Sequence, residues 1–128
     1  MTRTVLIVDD SKLARMVVSG ILGRYQPDWR PLEAGSAEKA LQLIGETPVD
    51  IALIDFNMPE MDGLDLAARI RELRPEMPMA IVSANAQQSI IARARELNVA
   101  FVEKPLTEEA LKPFLSGAAL RLRQSAAS

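Results

Sequence analysis

Four apolar runs in this chain are short and unbroken: Val5-Leu6-Ile7-Val8, Ile51-Ala52-Leu53-Ile54, Met79-Ala80-Ile81-Val82 and Ala100-Phe101-Val102. A strand with one wetted face alternates apolar and polar residues. An unbroken run reads as a strand buried on both faces. A fifth, weaker run, Trp29 to Ala34, contains Pro31. Proline has no N–H to give to a ladder, so this strand is predicted at a sheet edge. Amphipathic stretches lie between the runs. Ala14, Val17, Val18, Ile21 and Leu22 recur at i, i+3, i+4, i+7 and i+8, which predicts one buried helical face. Ser36 is placed to cap a helix from Ala37 to Gly45. Asp62-Gly63 turns into a helix from Leu64 to Leu73, with Pro75 just past its end. Gln87 to Leu97 and Thr107 onward complete five β-α units. Such alternation implies a parallel α/β sheet with helices on both faces and right-handed crossovers. Pro113 and Ser116-Gly117 predict a kink or break in the last helix between Lys112 and Gly117. Residues 1–124 read as one domain and 125–128 as a short loose tail.

In a parallel α/β sheet the strand ends gather at one edge. Asp9-Asp10 follow the first apolar run, Asp55 the second, Ser83 the third, and Lys104-Pro105 stand close behind the fourth. Three carboxylates, a hydroxyl and an ammonium are thus expected in one cleft. Clustered carboxylates repel one another unless a cation joins them. Magnesium takes oxygen ligands, including one or two carboxylates. A carboxylate oxygen can attack phosphorus and form an acyl phosphate. The charge that spreads over the phosphoryl oxygens is then met by fixed positive groups. A metal on Asp10 and Asp55 would take one oxygen, Lys104 a second, and the Ser83 hydroxyl with nearby backbone N–H groups the third. Each residue alone is as well explained as a helix cap or a solvated side chain; the ordered set is not. The Lys104-Pro105 bond is one that tolerates the cis form.

What is missing narrows the chemistry. The chain of 128 residues has neither cysteine nor histidine. That excludes Ser-His and Cys-His catalysis and leaves little with which to build a structural zinc site. A net charge of -2 offers no general attraction to nucleic acid. No apolar run approaches the roughly 20 residues of a membrane span, and no signal peptide is visible, so a cytoplasmic protein is expected.

With these residues in place the chain resembles a receiver domain of the response-regulator family of two-component signalling, in the manner of its chemotaxis members. The resemblance covers residues 4 to 115. It implies a flavodoxin-like, doubly wound sheet of order 2-1-3-4-5. It also implies that Asp55 is the phospho-acceptor, served by a histidine kinase or phosphotransfer protein. Asp9, Asp10, Asp55 and the backbone carbonyl of Asn57 would hold Mg2+ (or Mn2+). Ser83 and Lys104 would contact the phosphoryl group. Ser83 and Phe101 would act as a switch that reshapes the surface of the fourth helix, fifth strand and fifth helix for a downstream protein target. Leu13 and Met16, with Lys12 and Arg15 nearby, are either a kinase-docking patch on the first helix or a widening of its buried stripe. Asn57 and Asn85 occupy positions that tune acyl-phosphate lifetime in the family.

Other readings fit less well. A phosphatase with an aspartate nucleophile would need a proton donor at Asn57, which an amide does not supply. A nucleotide or flavin module would need a glycine-rich loop where Asp9-Asp10-Ser11-Lys12 stands. The expectation is therefore a signalling phospho-acceptor rather than an enzyme, with no direct contact to nucleic acid and no membrane insertion. The opening methionine and the lack of sequence for a DNA-binding module favour a single-domain regulator. A receiver module of a larger regulator is the alternative. Oligomeric state is left open.

Overall fold

Strands β1 (Thr4–Val8), β2 (Arg30–Ala34), β3 (Ile51–Asp55), β4 (Met79–Ser83) and β5 (Ala100–Glu103) form one sheet in the order β2-β1-β3-β4-β5. Every pairing is parallel, as the unbroken apolar runs require. The computed structural model describes residues 2–127, with side chains as far as residue 124. Pro31 lies on β2, at one edge, where its missing N–H leaves no gap in an interior ladder.

Helices α1 (Lys12–Tyr25), α2 (Ala37–Glu46), α3 (Gly63–Leu73), α4 (Gln88–Glu96) and α5 (Glu108–Ala127) alternate with the strands. Side chains on one face of the sheet, such as Leu6, Ile54 and Ile81, pack under α2, α3 and α4. Those on the other, such as Val5, Leu53 and Val82, pack under α1 and α5. Each fully buried Leu or Ile contributes roughly 1.5–3 kcal/mol. The predicted caps are made: Ser36 Oγ accepts from the Lys39 N–H at 3.1 Å and Asp62 Oδ1 from the Asp65 N–H at 2.8 Å.

Two expectations are corrected. Val17 is 46% exposed, because the buried stripe of α1 runs through Val18, Ile21 and Leu22, with Tyr25 half-buried against the same cluster. The sheet covers a narrower arc of the helix than the sequence pattern offered. Of the kink or break expected between Lys112 and Gly117, the break is absent, and α5 is continuous through Pro113. Pro113 removes a single helical hydrogen bond, while Leu111 before it and Leu115, Ala118 and Ala119 after it are buried on the sheet. That packing outweighs the local cost of the proline. The boundary drawn at residue 124 falls inside α5; the side chains of 125–128 lie outside the described ones.

Candidate functional site

The register of the sheet brings the strand ends together. Val8 pairs with Ile54, Asp55 with Val82, and Ser83 with Glu103, so Asp9, Asp55, Ser83 and Lys104 follow one another across the edge. Backbone bonds continue the alignment, from Phe56 N–H to the Val82 carbonyl and from Lys104 N–H to the Ser83 carbonyl, both at 2.9 Å. One carboxylate oxygen from each of Asp9, Asp10 and Asp55 lies within 4.8 Å of the others. Asp9 and Asp55 are buried and Asp10 is exposed.

Asp55 is 5% exposed and ends β3. The Lys104 ammonium stands 2.9 Å from its Oδ1. That buried oxygen is thereby paired with a positive charge and has no other partner among the described residues. Burial pushes the Asp55 carboxyl above its ordinary range; Lys104 pulls it back, and the charges of Asp9 and Asp10 push it up again. A carboxylate that is buried and crowded by two others, with one ammonium against three acids, fits a site for a divalent cation.

The neighbours are differently occupied. Asp9 Oδ1 accepts the Ser11 N–H at 2.9 Å, and its second oxygen has no donor among the described residues. Ser83 is 1% exposed, and its Oγ accepts the Asn85 N–H at 3.0 Å, so it organises the β4–α4 loop rather than capping α4. Lys104-Pro105 is a cis bond. Asn57 lies in the β3–α3 loop, and among the described residues no donor takes its carbonyl. Phe101 sits beside Ile81 on the sheet face that also carries Ser83, half-buried against α4's cluster. It lines a groove of about 430 Å³ between α4, β5 and α5.

Leu13 and Met16 are 71% and 56% exposed, and with Val17 they make an apolar patch on α1. They do not widen the buried stripe. Arg15, placed near that patch from the sequence, turns inward instead: it bonds the Asp9 carbonyl and Glu33.

The sequence reading missed one residue that shapes the site. Gly63 opens α3 directly against the strand end. A Cβ there would stand 2.4 Å from the Asp55 carbonyl oxygen and 2.9 Å from Phe56 Cα. Only glycine allows the helix N-terminus this close to the Asp55 backbone. The Asp62-Gly63 pair was the available signal, and it was read as a turn alone.

Fold and site together define a phospho-acceptor module of the receiver type. A sequence model of the response regulator receiver domain matches residues 5–115, and the chain belongs to that family. It is a receiver domain of two-component systems. The autoinducer 1 sensor kinase/phosphatase LuxN of Vibrio campbellii is 35% identical over 112 residues, which is 88% of this chain and 13% of that protein. The positive alginate biosynthesis regulatory protein of Pseudomonas aeruginosa is 38% identical over 117 residues, 89% of this chain and 46% of that protein. The chain thus spans less than half the length of these relatives. Among solved structures, the signal receiver domain of an HD domain-containing protein from Pseudomonas fluorescens has the same fold at a TM-score of 0.88 and 24% identity, covering 97% of this chain and 99% of that one. A chemotaxis response regulator of Vibrio cholerae gives 0.83 and 22%, covering 92% and 99%. No described helix is long and apolar enough to cross a membrane.

Proposed function

We propose that Asp55 accepts a phosphoryl group from a phosphohistidine of a histidine kinase or phosphotransfer protein. The observation that carries this is the Asp55 carboxylate itself: buried, paired at Oδ1 with the Lys104 ammonium at 2.9 Å, and in reach of two further acids. Asp55 oxygen attacks phosphorus, the donor's P–N bond breaks, and the released imidazole takes a proton from solvent. The product is an acyl phosphate on Asp55. These 128 residues hold no histidine, so the donor phosphohistidine lies outside them.

Asp9, Asp10, Asp55 and the Asn57 carbonyl are the groups that would hold Mg2+ or Mn2+. The bound cation supplies positive charge that offsets three carboxylates and the incoming phosphoryl oxygens. Lys104, 2.9 Å from Asp55 Oδ1, would meet another of those oxygens. The Ser83 hydroxyl, turned from Asn85, would meet the third, and Phe101 would follow into the space it leaves. Phosphate on Asp55 favours that arrangement differentially, which is what a population shift requires. The face of α4, β5 and α5 then reads out to a downstream protein. Leu13, Met16 and Val17 on α1 offer an apolar surface for the kinase or phosphotransfer helices.

The domain is a cytoplasmic signalling acceptor that turns over only its own acyl phosphate. The greater length of the relatives supports a second context, a receiver module within a larger regulator. The test is incubation with acetyl phosphate and Mg2+, followed by intact mass. Wild-type protein gains one phosphoryl group, and Asp55→Asn gains none. Labelling of the variant at another residue would refute the assignment.

A further inference from the structure

Arg15 has a side chain only 16% exposed, unlike a free surface arginine. Its guanidinium ties two segments. Nη1 donates to the backbone carbonyl of Asp9 at 2.6 Å, and Nε donates to Glu33 Oε1 on the edge strand β2 at 2.9 Å. Gly35 borders the guanidinium: a Cβ there would stand 3.3 Å from Nη1. Asp9 is therefore fixed at three atoms. Its N–H bonds the Ala34 carbonyl at 3.1 Å, its carbonyl accepts from Arg15, and Oδ1 accepts the Ser11 N–H. Oδ2 alone lacks a donor among the described residues.

We propose that Arg15 is a positioning residue of the cation site: held by Glu33, it fixes the Asp9 backbone so that the free carboxylate oxygen faces Asp10 and Asp55. The inference rests on the cation reading given above. Glu33 has a second part in it. A bare guanidinium beside a cation site repels the cation, whereas one paired with a carboxylate anchors the loop at little net charge.

That difference gives opposite signs to test. If Arg15 acted only through its charge, removing it would tighten Mg2+ binding. A tie serving only the fold would leave affinity unchanged below the melting temperature. Positioning predicts weaker binding. Titration calorimetry with Mg2+ is run on wild-type protein, Arg15→Met, Arg15→Lys, Asp9→Asn and Arg15→Met with Asp9→Asn, each checked for folding by a thermal melt. Arg15→Met should weaken binding about tenfold, the scale of changes behind a metal ligand. Arg15→Lys should fall between it and wild type. In the Asp9→Asn background, Arg15→Met should cause little further loss, because the effect passes through Asp9. Unchanged or tighter binding by folded Arg15→Met overturns the proposal, as does full additivity with Asp9→Asn. Should Arg15→Met not fold, Arg15→Lys is read by the same cycle, with the same outcomes deciding. Failure of the cation reading shows separately, as wild-type protein that gives no Mg2+ isotherm, and overturns both.

Discussion

Gly63→Ala adds one methyl group, and the structure says where it goes. The new Cβ meets the Asp55 carbonyl oxygen at 2.4 Å, Phe56 Cα at 2.9 Å and the Asp55 carbonyl carbon at 3.0 Å. All three are backbone atoms, so no side-chain rotation relieves the contact. Either α3 backs away, losing the Gly63 N–H bond to the Phe56 carbonyl at 2.9 Å, or the end of β3 moves. Overpacking against a rigid neighbour costs about 1–3 kcal/mol, and the lack of any soft atom puts this case near 2–3 kcal/mol. For a domain of this size that is about 10 °C in Tm. Gly117→Ala is the control. It adds the same methyl group within α5, where nothing stands within 4 Å, and should gain up to about 1 kcal/mol from helix propensity. Thermal and urea unfolding of the pair, without divalent cation, reads the two signs directly. Equal effects at the two positions, or a Gly63→Ala protein as stable as wild type, would refute the steric argument. Acetyl phosphate labelling of Gly63→Ala should be slowed as well, since two of the three strained atoms belong to Asp55, the proposed acceptor.

Two more outcomes follow from the same geometry. Burial, Asp9 and Asp10 raise the Asp55 carboxyl above its reference value of 3.8, so the folded protein holds that proton to higher pH than the unfolded chain. Stability associated with protonated Asp55 is full below 3.8 and is lost as pH rises through the folded value. Asp55→Asn lacks this loss. Its urea midpoint relative to wild type, in chelator, should climb across that window; a difference flat with pH would sink the claim. Arg71 donates to the carbonyls of Pro75, Met77, Leu97 and Asn98 at 2.7–3.0 Å, joining the C-terminal ends of α3 and α4. Burial, then the charge of Arg121, lowers its pKa, yet it stays charged at neutral pH. Arg71→Met should cost about 2–3 kcal/mol in urea unfolding, the scale for charged hydrogen bonds to carbonyls left partly unsatisfied; a loss near zero would show that water replaces it.

The strands were readable because burial on both faces leaves an unbroken apolar run, and Pro31 marked its own edge. Ser83 and Lys104 were readable for a related reason: a parallel sheet fixes which end of each strand faces the cleft, so sequence position determines spatial position. The residues that misled are those set by matching between elements. Val17 satisfies a helical period, but only the neighbouring sheet decides how wide a stripe it covers. Pro113 satisfies a breaker rule, but Leu111 and Leu115 hold α5 down on either side of it. Gly63 and Arg15 were hidden for a third reason. Their roles are contacts with the Asp55 and Asp9 backbones, and main-chain atoms leave no mark in a sequence.

The distribution of hydrogen bonds separates structural from functional polar groups at the strand edge. Ser83 is buried and satisfied by the Asn85 N–H, and Asp9 is buried with one oxygen satisfied by Ser11. These are the partners a fold supplies when a polar side chain must be buried. Asp55 is equally buried, yet among the described residues its Oδ1 is met by the Lys104 ammonium and by no backbone N–H, and two like charges crowd it. A carboxylate serving the fold would gain from a backbone N–H of the kind its neighbours receive. Burial and the two like charges disfavour the charged form of Asp55 in the free protein, a cost that a bound cation would offset. On the proposed reading the carboxylate that burial and like charges destabilise is also the phospho-acceptor, so Asp55→Asn should remove both features together.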